Sequence, residues 1–335
     1  MKKLGLFLLS IWAATFSAQQ VEILLEDSIS IRAIVLEDQK VWYAGTDSKF
    51  GYVNILSPAD QRQIQLSDQQ LQFRTLAQDR TSFYAINIES PAHLFKISKR
   101  DLTHQIVFTD TARTAFYDAM HFVNGQKAYA FSDADESLNL KLLQILPEQN
   151  SFAFYRKPPL KMNKGEAVFA ASNSNLASAG KYLWLGTGGG SARIFRFDLQ
   201  QQSAEIFETG FVQDSGSAGI YSIDFLDEQF GIAVGGDYTR QEANINNIAT
   251  TSDGGQTWQI QASGKNGGYK TCVKIRPDSG GREIVAVGDQ QVEYSHDYGQ
   301  TWTRISEEKG FYVCEWLNAS TLILAGKGKI AKMEF

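Results

Sequence analysis

The sequence predicts an all-β fold, a single seven-bladed β-propeller of four-stranded antiparallel blades whose ring is closed by the strand at the mature N-terminus. Three observations carry this expectation. A four-residue apolar run ending in or near glycine recurs along the chain as WYAG (Trp42 to Gly45), FYAI (Phe83 to Ile86), AYAF (Ala128 to Phe131), LWLG (Leu183 to Gly186), IAVG (Ile232 to Gly235), VAVG (Val285 to Gly288) and ILAG (Ile323 to Gly326). The copies start 38 to 55 residues apart, a range that brackets the usual length of a four-stranded propeller blade. Two of the repeats end in a matching turn string, TSDGGQTW from Thr251 to Trp258 and SHDYGQTW from Ser295 to Trp302. No long stretch shows the 3.6-residue periodicity of an amphipathic helix, which disfavours an α/β reading.

The elements follow in chain order. Residues 1–18 read as a secretory signal: Lys2 and Lys3 precede an apolar core from Leu4 to about Phe16, and small residues end at Ala18. No cysteine follows the cleavage point and no later apolar run reaches about 20 residues, so no lipid anchor and no second membrane segment are expected. Residues 19–335 then form the propeller domain, exported to the periplasm or secreted, as a monomer. Val21 to Glu26 is a spare strand, suited to complete the last blade, which ends at KIAKMEF without a fourth strand of its own. Such closure removes an exposed sheet edge.

Each recurring run is preceded by a further strand: AIVL from Ala33, DAMHF from Asp118, VFAAS from Val168, YSIDF from Tyr221, CVKI from Cys272 and CEWL from Cys314. Polar turns such as Asn124-Gly125 separate the two. Third strands are expected at Phe95 to Ile97, Ala192 to Phe197 and Asn247 to Thr251. The long connection from residue 147 to 165 carries Arg156, Lys157, Lys161 and Lys164 and reads as a solvated loop.

The turn strings have a structural chemistry. Asp253 and Asp297 can accept backbone N–H groups that a tight turn leaves unpaired, Gly255 and Gly299 supply positive φ, and Thr251 and Ser295 add local hydroxyl bonds. Trp258 and Trp302 offer large apolar surfaces between blades. This S/T-x-D-x-G-x-T-W pattern resembles the Asp-box, or BNR-type, turn. With FYDAMHF (Phe116 to Phe122), GEAVFAASN (Gly165 to Asn173), GIYSIDF (Gly219 to Phe225), GGDYT (Gly235 to Thr239) and YKTCVKI (Tyr269 to Ile275), the chain resembles the bacterial group related to the photosystem II assembly factor propeller, which shares its turn motif with sialidases. The chain departs from that group in keeping only two full Asp boxes and in having Phe131-Ser132-Asp133 where relatives carry Gly-Asp-Pro. The resemblance implies a binding or assembly role; members of the group also carry glycosyl hydrolase and oxidoreductase labels.

Strand direction places the functional rim. Residues entering the first strand and leaving the second share one end of the ring, opposite the Asp-box turns. On that rim lie Asp47, Asp133, Asp237 and Asp289 after second strands, Tyr117, Asp118, Glu166, Tyr221 and Lys270 before first strands, Tyr238, and Gly188 and Gly189 with Arg193 nearby. The set predicts an acidic rim at the channel mouth that contacts a protein or glycan ligand; sugar hydroxyls, a basic peptide or a cation all suit it, and short acids also simply make good turns.

Enzymatic alternatives meet obstacles. A sialidase-like hydrolase needs three arginines on a carboxylate and a tyrosine activated by an acid, for which Arg32, Arg74 and Arg193, Tyr117 or Tyr221, and Glu166 are the nominees. Arg32 is nevertheless followed by Ala33-Ile34, not by the Ile-Pro that marks the first sialidase arginine. GTGGGS (Gly186 to Ser191) leads into a strand-like stretch, not a helix, so it is no dinucleotide fingerprint. His93, His104, His121 and His296 show no paired ligand spacing, and no C-x-x-C exists. No metal or cofactor is expected, and an oxidoreductase reading lacks any cofactor motif. A net charge of −5 without a basic tail argues against nucleic acid as a partner. Cys272 and Cys314 start equivalent strands in adjacent blades, which admits a cross-blade disulfide; the reach between inner strands favours two buried thiols.

Overall fold

A computed structural model describes residues 19–155 and 159–335. The expected signal segment, residues 1–18, and Arg156 and Lys157 of the basic loop lie outside the described residues. All seven recurring runs lie in strands, because their buried, β-branched and aromatic side chains suit an inner strand covered on both faces. Every strand pairing is antiparallel. Four sheets have four strands each, as expected for propeller blades; they start at Ala77–Gln78, Tyr117–Asn124, Leu176–Ala179 and Cys272–Ile275.

The expected count of seven is corrected: the described strands form six hydrogen-bonded sheets, two of them six-stranded. The cause lies in one continuous strand, Val21–Glu37. Its first half pairs with the end of the chain, Val21 opposite Met333, and its second half pairs with Lys40–Gly45, Glu37 opposite Lys40. The runs WYAG and ILAG therefore share one sheet, and the first and last strands of the chain are neighbours.

The core sits between adjacent sheets. Trp42, Phe50, Phe73, Phe83 and Phe95 form one such layer, and Tyr84, Ile86, Tyr117, Met120 and Ala130 the next. Trp184 stacks on Phe225 with ring centroids 3.8 Å apart and donates its indole N–H to the Gly254 carbonyl at 2.9 Å. The two Asp-box strings bond alike. Asp253 accepts the Thr257 N–H at 2.9 Å and its hydroxyl at 2.6 Å, and Asp297 accepts the same groups of Thr301 at 2.8 and 2.6 Å. Gly255 and Gly299 adopt φ of 87° and 83°. Both aspartates are thus held below their ordinary pKa by hydroxyl and backbone donors that outweigh burial.

One expected strand is absent. Val168 to Ser172 has the composition of an inner strand, but that place is taken by Leu176–Ala179, and residues 168–175 run irregularly across the centre. The segment spends its polar groups on residues all around the ring. The Ala171 and Ala170 carbonyls accept Arg32 and Arg74, Asn173 bonds Leu76 and Met120, Ser174 bonds Ser222, and Ser172 bonds the Thr271 carbonyl. Two cavities flank it. One is lined by Val168 to Ala171; the other, about 270 Å³, is lined by Ser172 to Ser174 with His121, Asp224, Lys274 and Glu315.

Cys272 and Cys314 are free and buried, with their sulfurs 3.9 Å apart. A thiol reagent is expected to find neither in the native protein and both after denaturation without reductant. One cross-linked pair per chain in that titration would contradict the structure.

Candidate functional site

The chamber above residues 168–171 opens at the end where the first strands begin, a cavity of about 440 Å³. A shared backbone device builds it. The pairing of four first strands skips one residue: Arg32 between Ile31 and Ala33, Asp118 between Tyr117 and Ala119, Tyr221 between Ile220 and Ser222, and Tyr312 between Phe311 and Val313. A bulge of this kind re-aims the extra side chain out of the sheet alternation. Arg32, Tyr221 and Tyr312 line the cavity, joined by Arg74, Phe116, Phe169, Tyr238, Tyr269, Gln241 and Asp289.

Its chemistry is cationic and aromatic. Arg32 donates from Nη1 to the Ala171 carbonyl at 3.1 Å and lies 4.0 Å over the Tyr312 ring. Arg74 donates from Nη1 to the Ala170 carbonyl at 3.3 Å. Neither forms an ion pair among the described residues, so most of their fixed N–H donors remain for a ligand. Burial, with the like charge of Arg32, pushes the Arg74 guanidinium below its ordinary pKa. Phe169 stacks on Tyr221 with centroids 4.0 Å apart, and Tyr269 meets Tyr221 edge-on at 4.8 Å. Burial pushes the Tyr221, Tyr269 and Tyr312 phenols up, so they remain donors through neutral pH.

Of the rim residues expected from sequence, Tyr221, Tyr238 and Asp289 reach this cavity. The others are placed elsewhere. Asp47 sits in a turn at φ 59°. Tyr117 is fully buried and donates to Asp110 at 3.1 Å. Asp118 is fully buried and Asp133 half-buried. Glu166 is buried and accepts from Arg193, from the Thr187 hydroxyl at 2.6 Å and from the Asn163 N–H at 2.7 Å. Gly188 and Gly189 pair with Ala167 and Glu166, and a Cβ on Gly188 would lie 2.9 Å from Gly219 Cα. Asp237 is saturated by Ser215, Ser217, Thr239 and Arg240, donors that overcome burial and hold it far below the usual carboxylate range. Lys270 is buried in a pair with Glu293 at 2.5 Å.

Of the acids expected on the rim, only Asp289 lines this cavity. Most of the others are buried or bonded, and Asp289 shares the cavity with the two guanidinium groups of Arg32 and Arg74. The sialidase set also fails to assemble: Arg193 is bound to Glu166 away from Arg32 and Arg74, and Tyr221 donates to the Ser217 carbonyl at 2.6 Å. Sequence reasoning missed Phe169, Gln241, Tyr269 and Tyr312. A signal for the bulged positions is present in the string apolar-x-small that surrounds Arg32, Asp118 and Tyr221. Among the described residues no three His, Cys, Asp or Glu side chains converge as for a metal ion, and no helix is long and apolar enough to cross a membrane.

Solved structures match this architecture over nearly its whole length. YCF48 bound to a D1 peptide has a TM-score of 0.69 at 11% identity, covering 96% of this chain and 97% of that chain. The fold is that of a β-propeller. U3-55K matches with a TM-score of 0.66 at 12% identity over 94% of this chain and 98% of its own. The WD40 repeats of RRP9 match at 0.65 and 12%, over 95% and 98%. At these identities the likeness shows fold alone. No family model matches the chain, and no curated protein matches it.

Proposed function

We propose that the chain is a binding or assembly module, exported by its N-terminal segment, that takes a carboxylate of a protein partner on Arg32 and Arg74 at the channel mouth. The observation that carries this reading is the pair of guanidinium groups in one cavity, each bonded to a single backbone carbonyl and neither in a salt bridge among the described residues. Two like charges held side by side in a half-buried cavity repel, and a bound anion relieves that repulsion while filling their remaining donors. The aromatic surround of Phe116, Phe169, Tyr238 and Tyr312 suits an apolar or aromatic residue beside the carboxylate. The peptide-bound YCF48 structure supports a peptide as the ligand class. The pairing of the chain's first and last strands closes the ring that holds the mouth in shape.

An array of short peptides with free or amidated C-termini and with or without acidic side chains tests this. The protein is expected to prefer peptides carrying a carboxylate, with affinity falling as salt rises. Arg74→Ala is expected to lose about 1.5–3 kcal/mol of that binding, the worth of a charge-assisted hydrogen bond, or roughly tenfold to a hundredfold. Equal binding by a folded Arg32→Ala, Arg74→Ala double variant would overturn the assignment. Binding confined to acidic sugars would move the ligand class to glycans.

A further inference from the structure

The second cavity, about 270 Å³, lies toward the far ends of the first strands, away from Arg32 and Arg74. Strand register defines its wall. The first residue of each recurring run is paired with one residue of the first strand beside it, and in all seven repeats that partner lines the cavity. Three consecutive repeats supply charge: Asp224 opposite Ile232, Lys274 opposite Val285 and Glu315 opposite Ile323. The other arc is uncharged, with Val35 opposite Trp42, Gln78 opposite Phe83, Phe122 opposite Ala128 and Ser178 opposite Leu183.

The bonds within the charged arc leave one carboxylate over. The Lys274 ammonium pairs with Glu315 at 2.6 Å. The Asp224 carboxylate reaches the neighbouring strand, where Oδ2 accepts the Ile275 N–H at 2.7 Å, and it forms no salt bridge among the described residues. Burial pushes Asp224 up to about 6, which leaves it ionised above neutral pH. His121, the remaining titratable group on the wall, bonds the Ser178 hydroxyl at 2.8 Å. Burial and the Lys274 charge push it down to about 4, so it adds no cation. Two carboxylates against one ammonium give the cavity a net negative charge.

The wall also holds Gln78 Oε1, a buried acceptor that lacks a donor among the described residues. Lys274 and Glu315 keep 23% and 35% of their side-chain surface open, so a solute can reach the charged arc. An anion would meet a lysine already neutralised. No three His, Cys, Asp or Glu side chains converge for a metal ion among the described residues.

We propose that this cavity is a second binding site, for a small organic molecule that carries one primary ammonium group on a compact apolar or aromatic body. The ammonium joins the charged arc beside Asp224 as a charge-assisted donor, and the body lies along the uncharged arc at Phe122. The site stands independently of the anion-binding reading of the Arg32–Arg74 cavity.

Benzylamine is the probe, titrated by calorimetry at about pH 8, with benzyl alcohol and benzoate as its neutral and anionic counterparts. The wild type is expected to bind benzylamine and neither counterpart. Asp224→Asn, which keeps an acceptor for the Ile275 N–H, is expected to lose roughly tenfold to a hundredfold in affinity. Lys274→Met leaves both carboxylates to the ligand and is expected to gain roughly tenfold, a change that damage to the fold does not produce. Equal binding of benzylamine and benzyl alcohol overturns the proposal. So does wild-type affinity in a folded Asp224→Asn, or weaker binding by Lys274→Met at unchanged Tm. N-acetyl-lysine methylamide is expected not to displace benzylamine; displacement would overturn the small-molecule assignment in favour of a lysine side chain from a partner protein.

Discussion

Glu166→Ala is expected to lower the unfolding free energy by about 3–5 kcal/mol, because it leaves a buried guanidinium without its counter-charge. Arg193 is only 7% exposed, and two of its nitrogens donate to the Glu166 carboxylate. The same carboxylate accepts the Thr187 hydroxyl and the Asn163 backbone N–H, so four donors lose their acceptor at once. Against a total stability of about 5–15 kcal/mol for a typical domain, this is a large share. A denaturant melt should show the midpoint falling with little change in slope. Replacing Glu166 and Arg193 together by apolar residues of similar volume should cost much less, since no charge is then stranded. A loss under about 1 kcal/mol for the single variant would mean that water reaches the pair. Binding at the Arg32–Arg74 cavity should survive Glu166→Gln, which separates this structural acid from any catalytic one.

That reassignment shows where the sequence was legible and where it was not. The seven inner runs could be read because each is short, apolar and bounded by turn residues, properties that local sequence carries. The Asp-box turns were legible for the same reason: Asp253 bonds residues within four positions of itself. The rim acids were not. Acids at the ends of strands ordinarily mark solvated turns, but the partner of Glu166 lies on a strand 27 residues away and Asp118 is turned inward by a bulge. Val168 to Ser172 has the composition of a buried strand, and an apolar run alone cannot distinguish a strand from a segment threading the ring centre. Arg32 and Arg74 could be seen only as isolated arginines; their convergence depends on where the ring brings the starts of two different sheets. The sheet count changed because Asp27 and Ser28 look like a break in a strand that continues through them.

The continuity of that strand makes its first residues a second point of large effect. A chain beginning at Asp27 is expected to lose cooperative unfolding and to aggregate, where a chain beginning at Gln19 stays soluble. Leu24 and Leu25 are 4% and 6% exposed and pack in the cluster that holds Ile330, Ala331 and Met333. Their burial contributes about 1.5–3 kcal/mol each, before any strand hydrogen bond is counted. Removal also bares the edge of Lys329–Met333, whose partners are Val21 to Glu26. An unpaired, partly apolar edge of that kind is a template for pairing with other chains. Turbidity on warming and a broadened thermal transition would report both consequences. Because the missing element is a simple edge strand, a synthetic peptide of residues 19–26 supplied in excess should restore a sharp transition by strand addition. An unchanged Tm in the shortened chain, with no gain from the peptide, would show that the sheet holds without its first strand, and that the shape of the cavity mouth, where Arg32 follows on the same strand, owes nothing to the pairing of the two termini.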